Sequence, residues 1–188
     1  PVVSGAAAIL KTQFPFYTNQ QIAALLQVTA DDIDPLNSAY AGKIGAGRVN
    51  LFNAVNASGG EFMSLTNHLT NDNNNNIYIA GDTIDIQVDF TNYLDPLSGL
   101  SATLSSSSPY ITIIDGSANI PNAATLATVN NNADLFQVVV GGSVPQNEVV
   151  EFKVDLTNGT FIRTDYFKIN LNADYINLEE NLVATTIT

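Results

Sequence analysis

Few residues in this chain could do chemistry, and they are scattered. His68 is the only imidazole. It falls in a connector and reads as an exposed loop residue, not as a catalytic base. Ser105 to Ser108 run together before Pro109. No Gly-x-Ser-x-Gly elbow surrounds them, so they read as residues that shape a turn. Ser4 sits in an apolar stretch, where a hydroxyl bonds a nearby backbone carbonyl. Asp31, Asp32 and Asp34 offer hard oxygens of the kind Ca²⁺ takes. Their spacing lacks the Gly and the distal Glu of an EF-hand loop. The leading reading is a solvated acidic turn, with Ca²⁺ left open. Asp72 with Asp82, and Asp115, stand in the same position. Asp85 and Asp89 form a carboxylate pair, but on the wet face of a strand, whereas glycoside chemistry needs a cleft. Tyr110, Tyr166 and Tyr175 either line a ligand groove or sit half-buried with wet hydroxyls. Asn56-Ala57-Ser58 and Asn158-Gly159-Thr160 fit the glycosylation sequon, which matters only in a secretory eukaryote. No catalytic, cofactor or metal residue is therefore assigned within the chain.

The elements that must carry these residues change character near Asn56. Val2 to Gln13 is apolar on nearly every side, through Val2, Val3, Ala6, Ala7, Ala8, Ile9 and Leu10. Such a helix is expected to be buried all round. Phe14-Pro15-Phe16 ends it. Thr18 with Gln21 three residues on predicts a capping box. Ile22, Leu25, Leu26 and Thr29 then follow at helical spacing. A loop through Gly42, Gly45 and Gly47 leads to a short helix from Leu51 to Val55. Residues 57–76 read as a linker, with a short strand or docking segment at Phe62 to Leu65. Asn71 to Asn76 is low-complexity and turn-like.

From Ile77 the period falls to two. Ile84, Ile86, Val88 and Phe90 alternate with Asp85, Gln87 and Asp89. Val150, Phe152, Val154 and Leu156 do the same, as do Phe167, Ile169 and Leu171. Phe136, Val138 and Val140 form another run. Ile111 with Ile113, and Ile77 with Ile79, form shorter ones. Alternation of this kind marks half-buried strands. Asp115-Gly116, Gly141-Gly142 and Asn158-Gly159 supply turns. Six or seven strands over 77–173 predict an antiparallel, immunoglobulin-like sandwich. Residues 174–188 read as a linker or the start of a further domain.

Composition narrows the partners. The 188 residues carry 6 Lys+Arg against 18 Asp+Glu, a net charge of -12. A chain so acidic repels phosphate backbones, so nucleic acid is not an expected partner. Cysteine is absent, which excludes disulfides and thiol catalysis. No apolar run approaches the length of a membrane span. The chain opens at Pro1, with neither Met nor a signal sequence, so an upstream segment is expected.

Four pieces of the first 56 residues, taken in order, are specific. Pro1-Val2-Val3-Ser4-Gly5-Ala6-Ala7-Ala8-Ile9-Leu10 resembles the helix that follows the catalytic serine in subtilisin-like serine peptidases, the subtilases. Phe14-Pro15 with the capped Thr18 to Ile22 resembles that family's next helix start. Thr29-Ala30-Asp31 resembles the turn after it. Gly45-Ala46-Gly47-Arg48-Val49-Asn50 resembles the segment that enters the last helix. Val2 departs from the His that many members carry. The β part is similar to the accessory sandwich of large exported bacterial subtilases.

The resemblance implies a mixed fold: the helical C-terminal piece of an α/β subtilase domain over 1–56, then an all-β sandwich. It implies a secreted parent that hydrolyses peptide bonds by a Ser-His-Asp triad. The nucleophile would lie four residues before Pro1, so this chain alone should be inactive. Its partners would be the upstream part of the same peptidase and a protein or peptide substrate. Ca²⁺, which many members hold, stays open. The competing reading is a non-catalytic module that braces a neighbour or holds a protein or glycan.

Overall fold

Alternating side chains build the larger part of the molecule. The computed structural model describes residues 1–40 and 44–174. Its strands are β1 (Met63–Asn71), β2 (Thr83–Asn92), β3 (Leu100–Ser105), β4 (Ile111–Asp115), β5 (Ser117–Ile120), β6 (Thr128–Asn130), β7 (Phe136–Val140), β8 (Glu148–Thr157) and β9 (Ile162–Leu171). One sheet runs β1-β2-β7-β4, with β6 also paired to β2, and the other runs β5-β3-β8-β9. Every pairing between these strands is antiparallel. Ile84, Ile86, Val88 and Phe90 of β2 share one core with Phe152 and Val154 of β8 and Phe167 of β9. Each such side chain contributes about 1.5–3 kcal/mol by leaving water. Phe152 and Phe167 stack with ring centroids 5.3 Å apart.

Two sequence expectations for this part need correcting. The stretch expected to be a linker contains β1, a nine-residue strand paired with β2 along its length. Its register shifts between Leu65 and Asn67, so its inward residues lose strict period two. Ile77 and Ile79 form no strand. The buried residue there is Tyr78, of opposite parity, whose hydroxyl donates to Thr70 Oγ1 at 2.6 Å.

A buried amide completes β2. β6 pairs with β2 at Asp89 to Thr91, and β7 pairs with it at Thr83 to Ile86. Between them the Asn131 side chain stands in for a strand. Its Oδ1 accepts from Val88 N at 2.7 Å and its Nδ2 donates to Ile86 O at 3.2 Å. A backbone donor and acceptor that would otherwise be orphaned in the core are thereby satisfied.

The helical part is α1 (Val2–Gln13), α2 (Asn19–Val28) and α3 (Leu51–Val55). The predicted capping box opens α2: Thr18 Oγ1 accepts from Gln21 N, and Gln21 Oε1 accepts from Thr18 N. Leu10, Ile22, Leu25 and Ala54 pack into a second core that also takes in Phe62 and Leu94. The helices thus share apolar contacts with the segments that precede β1 and follow β2. Arg163 of β9 lies over the Phe62 ring, 4.9 Å from its centroid, and adds a cation–π contact at this seam. Burial of α1 on all sides does not hold within this chain. Only Ala6 and Leu10 of α1 are buried, while Val2, Val3 and Ile9 are exposed. Gly42, Tyr175 and the linker expected beyond Asp174 fall outside the described residues.

Candidate functional site

Apolar surface is concentrated on the helical part. Val2 is 76 % exposed, Phe16 97 %, Leu36 84 % and Phe52 76 %. Val3, Ile9 and Tyr40 are exposed as well. Beside α1 runs a groove of about 390 Å³, lined by Val3, Ala7, Ile22, Leu26 and Val49. Isolated exposed hydrophobics are ordinary, but several on one small helical part, with Val3 lining an apolar groove, mark a candidate interaction surface. Ser4 is exposed on the same helix.

The acidic turn is built as a clasp. Asp31 forms a two-residue bridge with Arg48. Its Oδ2 accepts from Arg48 Nη2 at 2.8 Å, and its Oδ1 accepts from Asn50 Nδ2 at 2.7 Å. The bond from Asn50, then that from Arg48, holds this carboxyl below the usual carboxylate range, against a small opposing effect of burial. Gly47 lets the two chains meet. Its φ is +112°, and a Cβ there would lie 2.1 Å from Asp31 O. Asp32 Oδ1 accepts from Asp34 N. Asp31 is thus a structural ion-pair partner and not a loosely solvated side chain. Two motifs that the sequence left unrelated, Thr29-Ala30-Asp31 and Gly45 to Asn50, meet here.

The other carboxylates also serve local structure. Asp72 Oδ1 accepts from Asn74 N and Asn76 N, Asp82 Oδ2 from Ile79 N, and Asp115 Oδ1 from Ser117 N. Asp85 and Asp89 lie on the outer face of β2, bonded to Gln137 and Asn67. Among the described residues no three His, Cys, Asp or Glu side chains gather as metal donors. Ser106 Oγ donates to Glu151 O at 2.7 Å, and Ser108 Oγ accepts from Tyr110 N, so these serines do shape their turn.

His68 is not a loop residue. It lies on β1, half-buried, with its ring 4.6 Å from the Phe167 ring. Burial pushes its pKa down, and a backbone hydrogen bond with Lys168 opposes this only in part. A neutral imidazole packed on an aromatic ring fits the seam between β1 and β9.

The outer face of the second sheet holds the remaining concentration of functional groups. Ser105, Lys153 and Tyr166 stand directly opposite one another on β3, β8 and β9. Tyr166 is 57 % exposed, more open than a half-buried core tyrosine, whereas Tyr110 packs against the core. Lys153 Nζ donates to Asp155 Oδ2 at 2.6 Å, which raises the lysine's pKa. Burial pushes Asp155 up, but the bonds from Lys153 and from Thr164 outweigh it and leave the carboxyl low. Asn56 Nδ2 donates to Phe52 O, and Asn158 Oδ1 accepts from Phe161 N in the β8–β9 turn.

No model of a known protein family matches this chain, and no curated protein matches it. Among the described residues no helix is long and apolar enough to cross a membrane.

Proposed function

We propose that this chain is a non-catalytic piece of a secreted subtilisin-like serine endopeptidase. It would join the closing helices of the catalytic domain to an accessory, immunoglobulin-like sandwich. The observation that carries the reading is the apolar surface of the helical part, centred on Val2, Val3 and Ile9 of α1. A small helical cluster that is complete in itself turns such residues inward. A sheet-centred domain packed against α1 would cover them. The four ordered motifs from Pro1 to Asn50 supply the family, and the exposed face supplies the need for a partner.

In this reading the triad and the oxyanion donors belong to the segment before Pro1. The chain's own residues do positional work. α1 would follow the nucleophile and hold it at the positive end of a helix dipole. The Asp31–Arg48–Asn50 clasp would fix the turn between α2 and α3. The sandwich would act as a brace, because Phe62 and Leu94 belong to the helices' own core.

The test is hydrolysis of a protein substrate such as casein. The isolated chain should cleave nothing. The protein extended by its upstream segment should cleave, and a serine-directed phosphonate should stop it. Cleavage by the isolated chain would overturn the reading.

A further inference from the structure

The polar row on the outer face of the second sheet is a site that neither the peptidase reading nor the core packing requires. Ser105, Lys153 and Tyr166 align across three strands. One step along, Glu151 stands opposite Lys168. Ser105, Glu151, Lys153 and Tyr166, with Ser106 and Ser107, line a cleft of about 280 Å³. That volume falls just short of ordinary ligand pockets, which begin at about 300 Å³.

The charges in the cleft are already matched. Lys153 is paired with Asp155 at 2.6 Å, and Lys168 lies 3.6 Å from Glu151. The row therefore offers fixed donors and acceptors without a net field to recruit an ion. An exposed ring beside them offers an apolar platform. The ligand that needs both is a ring with apolar C–H edges and a rim of hydroxyls.

We infer that this face binds a neutral oligosaccharide, with a pyranose ring laid against Tyr166 and its hydroxyls bonded to Lys153, Glu151 and the serine rim. The inference stands independently of the peptidase reading, since it uses only β3, β8 and β9. Thr164 Oγ1 donates to Asp155 Oδ1 at 2.5 Å, which holds the carboxylate that in turn orients Lys153. Lys153 is thus held in place before any ligand arrives, which lowers the entropic cost of its ordering on binding.

The test uses calorimetric titration of the whole chain with cellohexaose, xylohexaose, mannohexaose, laminarihexaose and chitohexaose. Inorganic phosphate and a tryptic digest of casein serve as the other arms. At least one sugar should bind, and Tyr166→Ala should weaken it by about tenfold. Tyr166→Phe should keep most of the affinity, because the stacking face remains. Lys153→Met, on the neighbouring strand, should weaken binding as well and gives a second readout should Tyr166→Ala fail to fold. Failure of every sugar at millimolar concentration would overturn the inference. Sugar affinity unchanged in Tyr166→Ala, or binding of phosphate or peptides alone, would overturn it equally.

Discussion

Asn131 shows how one side chain can take the place of a strand. It bonds Val88 N and Ile86 O of β2, and its Nδ2 also reaches Asp134 O at 3.1 Å. Asn131→Ala leaves buried backbone groups without partners, at about 1–3 kcal/mol each. Denaturant unfolding should show a loss of about 2–6 kcal/mol, and a loss too small to measure would contradict the role. His68 makes a prediction of opposite visibility. Its folded pKa is depressed, so the folded protein binds fewer protons there than the unfolded chain. Its contribution is therefore fully present above the unfolded value of about 6.5 and declines as pH falls from there through the folded value. The difference in stability between wild type and His68→Phe should change over that window and be flat above it. Neither residue announces itself in the sequence. Asn131 sits among Asn130 and Asn132 with nothing to distinguish it, and its role depends on a gap between two distant strands. His68 depends on Phe167, nearly a hundred positions away.

At the scale of elements, local chemistry was legible where it is self-contained. Thr18 and Gln21 place the start of α2, and removing the cap by Thr18→Ala should cost about 1 kcal/mol, seen as a lower melting temperature. Strict alternation placed β2, β8 and β9, and Asn158-Gly159 placed the turn between the last two. β1 escaped because its bulge at Leu65 to Asn67 breaks the period, and because an edge strand keeps polar residues on its wet side. β3 and β5 escaped because their inward residues include the small Ala102 and Ala118, which carry little hydrophobic signal. The candidate surface was legible only in part. The greasy circumference of α1 could be read, but which of its sides stays uncovered depends on α2 and α3. Val3→Ser and Ile9→Ser face outward here, so each should shift this chain's stability by less than about 0.5 kcal/mol. The same substitutions should weaken association with the upstream segment, measured by titrating that segment against each variant. Equal affinity for wild type and variants would contradict a role for this face.

For the whole molecule, two cores meet at one seam. The sheets close around Phe90, Phe136 and Phe152, and the helices close around Leu10 and Leu25. Phe62 and Leu94 join the second core to the strands that flank them, while Gly60 N donates to Asp95 Oδ2 at 2.8 Å. The helical part keeps its own core yet leaves a large apolar surface open. In the proposed reading, a neighbour ahead of Pro1 that carries the catalytic serine would cover that surface. The most direct measurement is the sequence of the intact protein just before Pro1. The expected sequence is Gly-Thr-Ser followed by three residues, the second of them Ala, so that the serine stands four positions ahead of Pro1. Any sequence without a serine at that position would contradict it.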